Sequence, residues 1–239
     1  MKIYNDFIQN CLDLLHGQHG CLLKTSRDVE PWPDAGDNNL VLRSEMAYEL
    51  GGGNLPAVTG VGCTSSQALV DCDSIWLYGP DLNEIQGDTP YARLAFLRVA
   101  DESLGQGNNA YTAIRKIEYA RYHIKPKGYM SRISTISNRE PVRISRKALE
   151  EGLSFEKVGG LFLREYHKNP KIIAACLIFI TIPDFPYHEL NKKIIQADQI
   201  TESLDHIFKN LKMDCTTCNL KEICDEVDGM RELHFSQNN

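Results

Sequence analysis

The sequence predicts an α+β protein with mixed α/β layers, on three observations. Segments that alternate apolar and polar residues stand beside segments with apolar residues three and four apart, so strands and helices are both present. They do not alternate strictly, as the repeating βαβ units of a doubly wound parallel sheet would require. The composition is that of a folded chain: 239 residues, 42% hydrophobic and 24% charged, with 17 Gly and 10 Pro. That balance excludes collagen-like, low-complexity and disordered chains.

Taken in order, residues 4–15 place Ile8, Cys11, Leu12 and Leu15 on one helical stripe that Gly17 and Gly20 close, which puts Cys11 in the core. Between 22 and 62, Pro31, Pro33, Gly36, Gly51, Gly52, Gly53, Pro56, Gly60 and Gly62 predict loops around one strand at 40–50. Strands follow at 74–78 and 92–100; in the second, Leu94, Phe96 and Arg98 share one face and Ala95, Leu97 and Val99 the other. Residues 109–123 read as a helix with Ala110, Ala113, Ile114, Ile117 and Ala120 inward. After a polar stretch at 125–128 come strands at 130–136 and 142–145. Ser154 has the chemistry of an N-cap for a helix that runs to about His167 and buries Val158, Leu161, Phe162 and Tyr166. The segment 172–182 is apolar on both faces and belongs in the middle of a sheet. A long helix at 190–211 completes the set, with Ile194, Ile195, Ile200, Leu204, Ile207, Phe208 and Leu211 apolar. The organisation expected is an N-terminal helix and loop segment at 1–39, an α+β domain at 40–211 and a Cys-rich tail at 212–239.

No apolar run approaches the ~20 residues that a membrane span needs. The N-terminus carries Asp6 where a signal peptide would be apolar, so a cytoplasmic location is expected. In that compartment eight cysteines point to metal binding, chemistry or burial rather than disulfides. The net charge of −6 hides an asymmetry: residues 112–171 hold 14 Lys/Arg against 6 Asp/Glu. This stretch, which includes Arg115, Lys116, Arg121, Arg132 and Arg139, makes either an anion-binding face or a solvated one. Arg143, Arg146 and Lys147 are the best candidates to bind an anionic ligand. Arg143 alternates with apolar Val142 and Ile144 on a strand, and the other two start a short helix whose amides would add to the attraction for phosphate. Nucleic acid is disfavoured by the acidic pI of about 5.7 and the absence of a nucleic-acid-binding motif.

The tail holds Cys215-Thr-Thr-Cys218 and then Cys224. Two thiols separated by two residues can grip one metal or two corners of a cluster, and the third suits another corner. A 4Fe-4S cluster, a structural zinc and directly redox-active thiols all remain open. No fourth ligand is local. Cys63 and Cys72, which flank 64–71, are either small buried hydrophobes or a remote ligand or nucleophile. The loop after Glu49, Gly51-Gly52-Gly53, could let a ligand approach the backbone. It lacks the spacing of a dinucleotide or P-loop motif.

Three stretches resemble the acetyl-CoA synthase (beta) subunit of the carbon monoxide dehydrogenase/acetyl-CoA synthase complex. They are Tyr48-Glu49-Leu50-Gly51-Gly52 leading to Leu77-Tyr78-Gly79-Pro80-Asp81-Leu82-Asn83-Glu84, then Tyr119-Ala120 and His123-Ile124 through Val142-Arg143-Ile144-Ser145-Arg146-Lys147-Ala148 to Val158-Gly159-Gly160-Leu161, and Asp214-Cys215-Thr216-Thr217-Cys218. The resemblance implies the fold of that family's middle domain with the start of its metal domain. It also implies a 4Fe-4S cluster on Cys215, Cys218 and Cys224, coenzyme A as a ligand, and a corrinoid protein or carbon monoxide dehydrogenase component as partner, with self-association left open. The family's Cys-Gly-Cys nickel ligands do not occur in these residues, and the step from Cys218 to Cys224 is shorter than the family's. Catalysis is therefore not assigned from the resemblance, and a non-catalytic assembly module with structural zinc is the alternative.

Overall fold

A computed structural model describes residues 2–26, 28–100, 108–134 and 138–208. The helix expected near the N-terminus is α1 (Lys2–Leu15), followed by β1 (Gly20–Lys24), β2 (Met46–Leu50), β3 (Ala57–Thr64), β4 (Ser74–Tyr78) and β5 (Tyr91–Val99). Then come α2 (Asn108–Tyr119), a 3-10 turn (Ala120–Tyr122), β6 (Tyr129–Ser131), β7 (Val142–Ser145) and the short α3 (Arg146–Glu150). The remaining elements are α4 (Phe155–Tyr166), β8 (Ile172–Ile180) and α5 (Tyr187–Phe208).

Five strands form a mixed sheet in the order β1-β4-β8-β5-β3. The β4–β8 and β5–β3 pairs are parallel, while β1–β4 and β5–β8 are antiparallel. The doubly apolar β8 takes the centre, as its sequence predicts, because both of its faces are covered. Alternation along β5 sorts the two cores. Ala95, Leu97 and Val99 join one, and Ala92, Leu94 and Phe96 join the other. The first core lies under α4 and a second, three-stranded antiparallel sheet of order β2-β7-β6; the other lies under α1 and α5. The arrangement is the α+β one that the sequence indicates.

The motif glycines and acids of the resemblance have visible structural tasks. Asp81 accepts hydrogen bonds from the amides of Leu82 (2.6 Å) and Phe155 (2.9 Å), so the turn after β4 holds the first amide of α4, and Ser154 caps that helix by accepting from Lys157 N. Tyr48 donates its hydroxyl to the Leu82 carbonyl and ties β2 to the same turn. On α4, a Cβ at Gly159 would come within 2.8 Å of Ile75, and one at Gly160 within 2.6 Å of Val29. Glycine at both positions lets the helix lie against β4 on one side and the N-terminal segment on the other.

Three local expectations are corrected. The strand expected at 40–50 begins only at Met46, because Leu42 and Glu45 close a turn before it. The loop-rich reading of 22–62 misses most of β1 and all of β3. The strand expected from 130 is the three-residue β6, starting at Tyr129; residues 135–137 lie outside the described residues.

Candidate functional site

The basic stretch does not form one face. Five of its cations line two concavities, one bordered by Arg139 and the other by Asn138, while Lys125, Lys127, Lys157 and Lys168 pair with acids elsewhere. The first surrounds the turn after β2, a pocket of about 310 Å³ lined by Glu49, Gly51, Gly53, Arg132, Ser134, Arg139 and Pro141. Gly51 sits at φ +63°, and a Cβ there would lie 2.2 Å from that of Ala57, so its glycine serves the chain's own close approach. Gly53, at φ +56°, has open space where a Cβ would stand. Arg139 holds this turn by donating to the carbonyls of Gly51 (3.0 Å), Gly53 and Leu55 (3.0 Å). Arg132 pairs with Glu49 at 2.6 Å, and Arg143 reaches the same carboxylate oxygen at 3.5 Å.

Of the predicted anion ligands, Arg143 therefore stands beside this pocket, on the central strand of the small sheet, with a further contact to the Val41 carbonyl at 3.4 Å. Arg146 begins α3 and reaches the Met46 carbonyl at 3.3 Å, while Lys147 is exposed. The expected pull of the α3 amides is reduced by local bonding. The Arg146 amide donates to the Glu45 carbonyl (2.9 Å), and the Ala148 amide donates to Ser145 Oγ (3.4 Å). With two of its amides engaged, this five-residue helix contributes little to anion attraction.

The second concavity is a cavity of about 470 Å³ among α2, the 3-10 turn, β3 and α5. Arg115, Lys116, Glu118, Arg121, Asn138 and Asp198 supply its polar lining, and Val61, Tyr119 and Tyr122 its apolar walls. Burial is the main cause that pushes the Glu118 carboxyl up to about 7, and it also raises Asp198. Arg115 and Arg121 oppose both shifts. Asn138 has a left-handed backbone, φ 49°, and its side-chain amide donates to Asp198. Sequence reasoning placed the three cations in a basic stretch but missed Glu118 and Asp198 as partners. The spacing i−3 and i+3 of Arg115 and Arg121 about Glu118 was a readable signal, whereas Asp198 arrives from a distant helix.

Between the two lies a fully buried ion pair. Arg93 donates to Glu140 through Nε (3.1 and 3.2 Å) and Nη2 (2.8 Å), and its guanidinium lies 4.3 Å from the centroid of Phe162. Tyr91 and Tyr129 share a hydroxyl contact in the same core.

Cys215, Cys218 and Cys224 lie outside the described residues. Cys11 and Cys63 are fully buried, and burial pushes the Cys11 thiol up to about 12 and the Cys63 thiol well above its ordinary value. That environment disfavours the reading of Cys63 as a nucleophile. Cys72 is exposed. Among the described residues, no three His, Cys, Asp or Glu side chains are grouped to hold a metal, and no helix is long and apolar enough to cross a membrane.

A search of curated proteins finds no match to the chain. Residues 35–184, well over half of the sequence, match the CdhC family model, described as CO dehydrogenase/acetyl-CoA synthase complex beta subunit. The match spans the motif turns at Gly51 and Asp81, the small sheet with Arg143, and helix α4. The chain belongs to the CO dehydrogenase/acetyl-CoA synthase complex beta subunit family.

Proposed function

We propose that the protein works in acetyl-CoA synthase-like one-carbon metabolism and binds an anionic partner, coenzyme A through its phosphates, at the pocket beside the Gly51–Gly53 turn. The observation that supports this reading most is charge. Arg132 and Arg139 line the pocket and Arg143 stands beside it; Arg132 and Arg143 share the Glu49 carboxylate while Arg139 grips the turn carbonyls, so three guanidinium groups stand here against one carboxylate. Guanidinium groups pair with phosphate oxygens through two parallel hydrogen bonds, and a net positive, glycine-walled recess leaves room for them. Arg146 and Lys147 extend the positive surface along the chain from Arg143.

The tail thiolates Cys215, Cys218 and Cys224 fit three corners of a 4Fe-4S cluster by donor type and spacing. A bound cluster would supply electron transfer, and these cysteines would anchor it. A corrinoid protein or a CO dehydrogenase component is the partner that this reading expects. No acetyl-transfer step is assigned to these residues.

Two measurements test the reading. Calorimetric titration of coenzyme A should show binding that weakens on the order of tenfold or more in Arg143→Ala, the effect of removing one charged hydrogen-bonding partner. No binding by the wild type at millimolar ligand, or equal affinity in both proteins, would refute the coenzyme A site. Anaerobically purified protein should contain iron and acid-labile sulfide that Cys215→Ser loses. Zinc in their place would favour a structural metal, and unchanged iron in the variant would remove Cys215 as a ligand.

A further inference from the structure

The geometry points to a second ligand site, the cavity between α2 and α5, which binds a small organic anion with a phosphate or carboxylate head and takes up a proton at Glu118 as it does so. The site is independent of the glycine-turn pocket, with no lining residue in common.

Three features carry this. The first is shape, since about 470 Å³ falls within the range of small-molecule sites and far exceeds what an isolated phosphate fills. A body as well as a head must be accommodated, and Val61, Tyr119 and Tyr122 give apolar and aromatic wall for it. The second is cationic supply. Lys116 is exposed at the rim, Arg115 is 55% exposed and only 3.7 Å from Glu118, and Arg121 has a buried Nε with no hydrogen-bond partner among the described residues. The remaining Arg121 contacts, Nη2 to Tyr122 Oη at 3.0 Å and stacking over that ring, hold its guanidinium plane in place at the cavity wall. A guanidinium fixed in this way loses little freedom when an oxyanion arrives.

The third is proton coupling. Glu118, whose side chain is 16% exposed, faces Arg115 on its own helix, Arg121 on the 3-10 turn, Asp198 on α5 and the buried Cys63 on β3. Cys63 stays a neutral thiol there, because burial disfavours its charged form. Burial and the Asp198 carboxylate favour the neutral acid, while the two arginines favour the carboxylate, and the balance places its titration near neutrality. An incoming anion adds negative charge beside Glu118 and draws on the same arginines. Both effects raise its proton affinity, so binding and protonation reinforce each other by linkage. The neutral carboxylic acid then offers an O–H donor to the anion, which a carboxylate cannot.

The test uses the full chain and two probes, phenyl phosphate and benzoate, which share a ring and differ in head group. Titration calorimetry at pH 7 in two buffers of different ionisation heat should show net proton uptake with benzoate, whose own carboxyl does not titrate there. Affinity should fall several-fold from pH 6 to pH 8. Whichever probe binds more tightly identifies the head group. Glu118→Gln should retain binding and lose the proton uptake; Arg121→Met should weaken binding at least tenfold. Neither of these residues lines the glycine-turn pocket, so failure of this site is distinguishable from failure of the coenzyme A reading. The inference is overturned if neither probe binds at 10 mM at pH 6, if Arg121→Met binds as well as wild type, or if proton uptake persists in Glu118→Gln.

Discussion

Replacing Glu140 by Gln keeps the shape of the side chain and removes its charge, leaving Arg93 buried opposite a neutral amide. Three of the Arg93 hydrogen bonds end on Glu140, and a further one, Nη2 to Thr59 Oγ1 at 3.3 Å, goes to a neutral oxygen. Both side chains have no solvent exposure. Burial is the largest single influence and works against the Arg93 charge; in the native protein Glu140, together with the hydroxyls of Tyr166, Tyr91 and Tyr129, outweighs it. Once Glu140 is neutral the guanidinium still cannot escape the loss by giving up its proton, because arginine's own proton affinity is too high. Breaking one partner of such a pair costs about 3–5 kcal/mol. For a chain of this size that lowers Tm by roughly 6–20 °C, at ~2–4 °C for each kcal/mol. Urea unfolding at pH 7, followed by circular dichroism and by tyrosine and tryptophan fluorescence, should show a lower midpoint with an unchanged slope.

The companion variant carries Arg93→Met and Glu140→Leu together. Methionine can keep the contact with the Phe162 ring, and the pair no longer asks the core to hold charge, so most of the lost stability should return. A cost below about 1 kcal/mol for Glu140→Gln, with the slope unchanged, would refute the argument, because it would mean that the pair contributes no more than an exposed one. A double variant no more stable than the single would show that the loss comes from packing rather than charge.

Three further outcomes are expected. Gly51→Ala should cost at least ~1 kcal/mol more than Gly53→Ala in the same urea assay, since both share a positive φ but only Gly51 would drive a Cβ into Ala57; equal costs would mean that backbone strain alone governs the turn. Iodoacetamide at pH 8 should label Cys21 and Cys72 in the folded protein and spare Cys11 and Cys63, read by peptide mapping, because the first two are exposed and the latter two are buried thiols with raised proton affinity; labelling of Cys63 at the rate of Cys72 would contradict its place in the core. Glu118 is ionised in the unfolded chain above its ordinary 4.5 and protonated in the native one up to about 7, so the stability it contributes is present below pH 4.5 and lost as pH rises to 7. Glu118→Gln should therefore gain on wild type across that window, by up to ~3 kcal/mol and less for its partial exposure, and a difference independent of pH would contradict the shift.

The parts of the fold legible in the sequence are those where local pattern and tertiary environment agree. Helices α1 and α4, strands β4, β5 and β7 and the central place of β8 follow from apolar spacing and one serine cap, and the structure keeps them within a few residues. Strand β3 was hidden by its own glycines. Gly60 and Gly62 look like loop punctuation, yet added Cβ atoms would meet Ile194 at 2.9 Å and Phe7 at 3.0 Å. They mark where α5 and α1 press onto the strand, a requirement of packing that no local pattern expresses. The candidate site divides in the same way. Positive charge in 112–171 was visible by counting, but its partition depends on Glu49, Asp198 and the backbone carbonyls that Arg139 grips, all distant in sequence.

Segment 138–140 explains why that partition is held so firmly. Its backbone runs beside β3, with Thr59 N donating to the Asn138 carbonyl at 2.9 Å and Glu140 N donating to the Ala57 carbonyl at 3.0 Å. Three consecutive side chains then diverge. Asn138 reaches Asp198 at the cavity, Arg139 grips the glycine turn, and Glu140 meets Arg93 in the core. Alternation sends the Arg139 and Glu140 side chains to opposite sides where the segment bridges β3, and Asn138, whose backbone is left-handed, adds a third direction, so one short segment serves both concavities and the core. A hydrophobic contact in place of the Arg93–Glu140 pair could be as stable, but it is not directional and would leave the segment freer to slide along β3. Three hydrogen bonds between two planar groups specify register, and with it the positions of Asn138 and Arg139 on either side. The buried charge thus does for the two concavities what apolar packing alone could not, fixing their walls relative to one sheet edge.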